Sequence, residues 1–191
     1  MTESPPDAVL AVENNTEIEP LFSISVFKLA VMSFFTFGLY QLYWFFKHWQ
    51  ALRWRENLDI NPTARTIFVF IFCYSLFSRI QKIAGPTGAR SYPGWSTAGY
   101  IIGSLYFNHL PDPYFLVSLF TFAFLIPAQI AANRANESQN LNFDRNAHFT
   151  KANMAWIAVG ALLLGFGIWA TFLPDPPEGM DVLAPTEAAA A

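Results

Sequence analysis

The chain has 191 residues, of which 53% are hydrophobic and only 13% are charged, and its net charge is −3. A soluble domain usually carries about a quarter charged residues, so this composition argues against a water-soluble protein. The acidic balance also argues against nucleic-acid binding, which requires a basic face. We therefore expect an all-α, polytopic protein in a lipid bilayer.

Both ends of the chain are acidic and hold few large apolar residues. Residues 1–21 contain five carboxylates, and residues 174–191 are rich in proline and alanine. Segments of this composition bury too little apolar surface to fold. We expect two disordered acidic tails around a helical membrane domain over residues 22–173.

Five apolar segments follow one another within this domain, at residues 29–46, 66–78, 95–110, 114–132 and 154–173. A membrane-spanning helix needs roughly 17–25 residues. The first, fourth and fifth segments are long enough, and the third is marginal. The second is too short, and a segment of its length is more often re-entrant, interfacial or part of a core.

Basic residues indicate whether the second segment crosses the bilayer. Ten of the 11 lysines and arginines lie between Lys47 and Lys151, and an excess of these residues marks cytoplasmic loops. If residues 66–82 do not cross, the basic clusters in 47–94 and 133–153 all lie inside. We therefore expect four spanning helices plus one re-entrant or interfacial helix, with both termini on the non-cytoplasmic side. The alternative, a short span paired with the first segment in a hairpin, stays open.

The first segment contains the pattern Thr-x-Gly-x-Tyr-x-x-Tyr-Trp, with Thr36, Gly38, Tyr40 and Trp44 at its key positions. Gly38 lets another backbone approach, and Thr36 can bond back into its own helix. Tyrosine and tryptophan favour the membrane interface because they are apolar with a polar tip. Over residues 25–57 the chain resembles small multi-span bacterial membrane proteins classed as domains of unknown function. That resemblance implies a bacterial inner-membrane protein and no particular activity.

Glycines in the third and fifth segments predict close helix packing. Gly99 and Gly103 form a GxxxG pattern, which lets helices approach without a clash. Gly160 and Gly165 have the same role in the fifth segment. We expect the third and fifth segments to pack together, or to form the seam of a homo-oligomer.

Six asparagines lie between Asn133 and Asn153. Asparagine caps helices and builds turns through its side chain. We expect most of them to serve in this way, with Asn153 as a cap of the fifth segment.

Aromatic and basic residues alternate after the first segment and predict a cytoplasmic contact face. Anionic lipid of the cytoplasmic leaflet attracts each such cation by about 1 kcal/mol. The sequence therefore favours an accessory protein that binds partners or anionic lipid headgroups. The residues of this predicted face are Trp49, Arg53, Trp54, Arg55, Arg65, Arg79 and Lys82.

Two other functions remain open. A small oligomeric transporter or pore would use Gln41, Thr121 and Gln129 to line a path, although ion-coupled transporters usually place charged groups within their spans. An intramembrane enzyme would rely on His109 and Asp112. Motifs for metal, cofactor or nucleophile sites are absent from the sequence, so no cofactor and no catalytic residue are predicted.

Overall fold

The computed structural model describes residues 18–87, 90–111, 114–139 and 144–170. Within these ranges the regular structure is entirely helical, as the sequence predicts. Of the predicted tails over residues 1–21 and 174–191, residues 1–17 and 174–191 lie outside the described ranges. The α-helices are α1 Val26–Phe35, α2 Leu39–Arg55, α3 Pro62–Ile67, α4 Val69–Ala84, α5 Pro93–Tyr106, α6 Ile126–Ser138 and α7 Lys151–Ala170. Three 3₁₀-helices cover Gly85–Thr87, Phe107–His109 and Tyr114–Leu125.

The first apolar segment does not form the continuous helix predicted over residues 29–46. The chain ends α1 at Phe35 and begins α2 at Leu39. Between them Phe37 and Gly38 adopt left-handed conformations, with φ of 51° and 86°. A left-handed glycine just beyond a helix end terminates the helix because it lacks a Cβ. Gly38 is thus a turn residue and not the helix-packing glycine that the sequence suggested.

Thr36 joins the two helix ends at this turn. Its Oγ1 donates to the carbonyl of Met32 at 2.7 Å and accepts from the backbone N–H of Tyr40 at 3.0 Å. The expected bond of Thr36 back into its own helix is therefore present. The second bond caps α2, so one side chain satisfies backbone groups on both sides of the turn.

Contacts with the fourth apolar segment show the direction of α1. The ring of Phe34, near the end of α1, lies 5.5 Å from that of Phe120. The carbonyl of Ile24, just before α1, accepts from Nδ2 of Asn133. The start of α1 therefore contacts the end of the fourth segment, and the end of α1 contacts its start. Helix α1 thus runs antiparallel to this segment.

The contacts of α2 show the opposite direction. Gln41, in its first turn, bonds to Thr121, whereas Arg55, at its end, bonds to Gln139. Helices α1 and α2 therefore form an antiparallel hairpin with its tip at residues 36–38. Arg55 also donates to the carbonyl of Glu19 at 2.7 Å, so the chain before α1 and the end of α2 lie at the same end of the molecule. We call this end, which holds Glu19, Arg55 and Gln139, the basic end.

The third apolar segment packs on the fourth and not on the fifth. A Cβ on Gly99 would overlap the ring of Phe124, and a Cβ on Gly103 would lie 2.9 Å from Cγ2 of Thr121. Helix α5 therefore runs antiparallel to the 3₁₀-helix Tyr114–Leu125. The predicted packing of these two glycines against the fifth segment is wrong, because the shorter connection brings the neighbouring helix onto them first.

Helix α7 packs along α1 of the hairpin. The Phe35 carbonyl occupies the position where a Cβ on Gly160 would stand, while nothing lies within 4 Å of such an atom on Gly165. At the other end of the contact, the rings of Phe27 and Phe149 lie 6.3 Å apart. Helix α7 therefore runs parallel to α1 and continues for ten residues beyond Gly160.

Two described helices are long and apolar enough to cross a membrane, Leu116–Ser138 and Lys151–Ala170. The other segments predicted to span form shorter helices, so a count of four spanning helices is not established. The helix predicted over residues 66–82 is divided at Phe68 into α3 and α4.

The hydrophobic core lies where α2, α4 and α6 meet. Small side chains on α6 let α4 pack closely, and large aromatic side chains of α2 fill the remaining space. Leu21, the last residue of the predicted N-terminal tail, is also buried in this core, at 1% exposure. Core members include Trp44, Phe45, Trp49, Cys73, Phe77, Ala128, Ala131, Ala132 and Ala135.

Candidate functional site

Three amide side chains on α6 hold the extended segment that precedes α1. Gln129, Asn133 and Asn136 lie four and three residues apart, so they share one helix face. Their amides bond to the backbone of residues 21–24 with donor–acceptor distances of 2.8–3.2 Å. Backbone that is buried without a sheet or helix needs such partners. Asn133 and Asn136 therefore act on a segment more than 100 residues away, and not in the local turns that the sequence suggested.

Gln129 is also the polar centre of the core. Its Oε1 accepts from Nε1 of Trp44 at 2.6 Å and lies 3.2 Å from Nε2 of His48. All three side chains are fully buried. Trp44, which the sequence assigned to helix packing near an interface, thus packs inside the protein with its indole N–H satisfied.

Two of the three residues proposed to line a pore contact each other, and the third is bonded within the core. Nε2 of Gln41 donates to Oγ1 of Thr121 at 3.0 Å, and the two residues are 3% and 5% exposed. Gln129 is fully buried and bonded as described above. Within one chain these three amide and hydroxyl groups serve packed contacts between helices.

Part of the predicted basic face is turned inward. Trp49 is fully buried in the core, because the face of α2 that carries it packs against α3 and α4. The guanidinium of Arg65 lies 4.5 Å from the centre of the Trp49 ring and 5.0 Å from that of Phe72. A cation over an aromatic face is stabilised by the ring quadrupole. Arg65 therefore packs on the edge of the core formed by these two rings.

Two further arginines of that face have partners within the chain. Arg79 forms an ion pair with Glu56, and Arg55 bonds to Glu19 and Gln139. These contacts fasten the end of α2 to α4, to α6 and to the chain before α1.

The exposed remainder of the predicted face is small. Arg53, Trp54 and Lys82 are exposed to solvent. The guanidinium of Arg53 lies 5.7 Å from the centre of the Trp54 ring, which is 65% exposed. An amphipathic tryptophan beside a free cation is typical of a membrane–water interface.

A cavity that the sequence did not indicate lies between the α1–α2 hairpin and the first turn of α7. Its volume is about 470 Å³, and Lys28 lines it while being only 2% exposed. Nζ of Lys28 donates to Oδ1 of Asn146 at 2.7 Å and to the carbonyl of His148 at 2.6 Å. Burial lowers the pKa of Lys28, and attraction to Asp144 opposes that shift. The only sequence signal for this site is that Lys28 directly precedes the first apolar segment, a position at which a lysine usually serves as a flanking charge.

The first turn of α7 forms one wall of this cavity. Oγ1 of Thr150 accepts from the backbone N–H of Asn153, and Oδ1 of Asn153 accepts from that of Thr150. This reciprocal pair is a capping box, so Asn153 caps the helix together with Thr150. The full lining comprises Lys28, Met32, Thr36, Leu39, Tyr40, Tyr43, Asn146, Thr150, Ala152, Asn153 and Trp156.

The remaining candidates do not assemble into a catalytic centre in the described parts of the chain. His109 is exposed at the end of a 3₁₀-helix, and Asp112 lies outside the described residues. Among the residues that the structure describes, no three His, Cys, Asp or Glu side chains are placed to hold a metal ion.

Comparison with known proteins gives no match for this chain, whether with protein-family models, curated proteins or solved structures. The resemblance of residues 25–57 to small bacterial membrane proteins therefore stays a prediction.

Proposed function

We propose that the protein is embedded in a membrane and serves as an accessory protein that binds anionic lipid at its basic end. The observation that carries the proposal is the exposure of α7. This 20-residue helix is apolar on every side, and Gly160 is its only buried residue. Leu162 and Phe166 are 74% and 65% exposed. A helix that is hydrophobic all round is stable only inside a large core or in lipid.

The contact between α1 and α7 supports an estimate of how deep the hairpin would lie in a bilayer. Gly160 is the tenth residue of α7, so it lies about 15 Å along the helix from its start. The hydrocarbon core of a bilayer is about 30 Å thick. If α7 crosses it, the hairpin tip beside Phe35 reaches about the middle of the bilayer and then returns. We infer that residues 26–55 form a re-entrant hairpin and not a span.

Irregular backbone at this depth must be satisfied by protein. The double hydrogen bond of Thr36 supplies such partners at the tip. So do the backbone bonds from the N–H of Gly38 to the carbonyl of Ser33 and from the N–H of Leu39 to the carbonyl of Thr36. These contacts support the re-entrant arrangement.

The proposed topology has three crossings. They are α5 with the 3₁₀-helix Phe107–His109, the helix Leu116–Ser138, and α7. The segment around Glu19 then lies on the cytoplasmic side, and Ala170 lies on the opposite side. All 11 lysines and arginines fall on the cytoplasmic side, including Lys28, which four spans would leave outside. This arrangement follows the preference of basic residues for the cytoplasm more completely than four spans do.

Lipid binding at the basic end rests on the exposed cations. Arg53 and Lys82 have no ion-pair partner among the described residues, and the exposed Trp54 ring beside Arg53 suits the headgroup zone. Loss of both cations should weaken binding of anionic lipid by about 2 kcal/mol, or roughly 30-fold.

Membrane fractionation and lipid binding test this proposal together. The protein should stay in the membrane pellet after alkaline carbonate extraction. Purified in non-ionic detergent, it should bind phosphatidylglycerol in preference to phosphatidylcholine in native mass spectrometry. Arg53→Gln with Lys82→Gln should weaken that preference, while Asp59→Asn, which removes an exposed charge of opposite sign at the same end, should not. Release by carbonate would refute embedding, and equal binding of both lipids would refute the lipid function.

A further inference from the structure

The cavity is lined at one end by the buried ammonium group of Lys28, whose hydrogen-bond partners are neutral. The ammonium donates to an amide oxygen of Asn146 and to the backbone carbonyl of His148. Asp144 attracts Lys28, but no acidic side chain in the described ranges lies within ion-pair distance of it. A buried charge that is not directly paired is costly, and an ammonium group has three donors, of which these bonds use two. The site therefore favours an added anion.

The same end of the cavity receives positive potential from α7. Thr150, Ala152 and Asn153, at the start of this 20-residue helix, line the cavity wall opposite the hairpin. The capping box already uses the backbone N–H groups of Thr150 and Asn153, but the helix dipole still makes this N-terminus attractive to anions. Two independent positive sources thus face one cavity.

The other end of the cavity is apolar and open. Met32, Leu39 and Trp156 line it, and Leu39 and Trp156 are 63% and 57% exposed. Leu39 lies at the hairpin tip. The cavity therefore passes from a cationic end near the basic end of the molecule to an apolar opening near the tip.

We propose that this cavity binds one membrane lipid with an anionic head group. The phosphate or carboxylate of the head group pairs with Lys28 beside the start of α7, and an acyl chain lies against Met32, Leu39 and Trp156. Tyr40 and Tyr43 also line the cavity, and their hydroxyls are further hydrogen-bond donors for the head group. The inference rests on the proposed membrane embedding, because the apolar opening must face acyl chains. It is separate from the surface attraction assigned to Arg53 and Lys82.

Four probes identify the ligand chemistry in non-ionic detergent. Phosphatidylglycerol and oleate carry an anionic group and an acyl chain, phosphatidylcholine has no net charge, and inorganic phosphate lacks the chain. Either anionic lipid should bind with one-to-one stoichiometry and raise the thermal unfolding temperature, as a ligand selective for the folded state does. The one that binds identifies the head group. An equal shift with inorganic phosphate would overturn the assignment to a lipid, and no shift with either anionic lipid would overturn the site.

Variants locate the site. Lys28→Met keeps the chain length but removes the charge, and should weaken one-to-one binding by about fivefold or more. Ala152→Trp should fill the cavity and abolish binding while Lys28 is intact. Ala158→Trp, at an exposed alanine of α7 that does not line the cavity, is the matched control. If Lys28→Met does not fold, Ala152→Trp against Ala158→Trp decides the question.

Unchanged binding in Ala152→Trp would overturn the site even if the protein is embedded in the membrane. Loss of binding only in Arg53→Gln with Lys82→Gln would likewise assign lipid binding to the surface and refute the cavity. Carbonate extraction, which does not depend on Lys28, tests the proposed embedding separately.

Discussion

The carbonyl group of Phe35 occupies the position in which a Cβ of Gly160 would stand. This contact joins the last residue of α1 to the middle of α7. It fixes how far the α1–α2 hairpin reaches along a helix long enough to cross a bilayer.

Replacement of Gly160 tests this contact. Gly160→Ala should lower the free energy of unfolding by about 1–3 kcal/mol, because the added methyl overlaps backbone that cannot rotate away. Gly165→Ala is the matched control on the same helix, where nothing lies within 4 Å; it should be neutral or stabilise by up to about 1 kcal/mol. Denaturant titration in detergent micelles measures both. Equal effects at the two positions would show that α1 and α7 do not pack at Gly160.

The turn between α1 and α2 depends on the left-handed conformation of Gly38. Gly38→Ala should destabilise the protein by about 1–2 kcal/mol, since a Cβ disfavours this conformation. Gly38→Asn should cost less because asparagine tolerates it. Thermal unfolding of both variants provides the measurement, and a stability order of alanine above asparagine would argue for a continuous helix here.

Gln129 satisfies buried groups from three parts of the chain. Gln129→Leu removes the acceptor of Trp44 and the donor to the Phe22 carbonyl. Each buried group left without a partner costs about 1–3 kcal/mol. Unfolding followed by tryptophan fluorescence should therefore show a large loss of stability, while Arg134→Gln, at an exposed position of the same helix, should leave stability nearly unchanged. A stable Gln129→Leu variant would mean that these bonds do not form.

The sequence predicts the helical class and the approximate positions of the apolar helices, because apolar runs of helix length leave few alternatives. It does not predict the break at residues 36–38. The segment there is mostly apolar and uncharged on both sides of the glycine. The sequence alone cannot show whether such a glycine packs against a neighbouring helix or turns the chain. The opposite directions of α1 and α2 become visible only from the contacts that each helix makes with the fourth segment.

The sequence predicts only part of the candidate site, because it identifies the basic, aromatic stretch but not which of its side chains are buried. Trp54 and Trp49 lie in the same basic, aromatic stretch, yet Trp54 is exposed and Trp49 fills the core. Composition cannot separate them because the difference arises from how α3 and α4 fold back on α2. Lys28 had the appearance of a flanking charge, and its burial depends on the segment at residues 144–150, more than 100 residues away.

The re-entrant hairpin is the central claim, and labelling of single cysteines tests it most directly. In a Cys73→Ser background, cysteines replace Glu19, Asp59 and Pro111, one in each variant, and sealed cells are treated with a membrane-impermeant thiol reagent. Our account predicts that position 111 reacts, while positions 19 and 59 react only after the membrane is opened. Labelling of position 19 together with position 111 in sealed cells, with position 59 protected, would show that residues 29–46 cross the membrane and would contradict it.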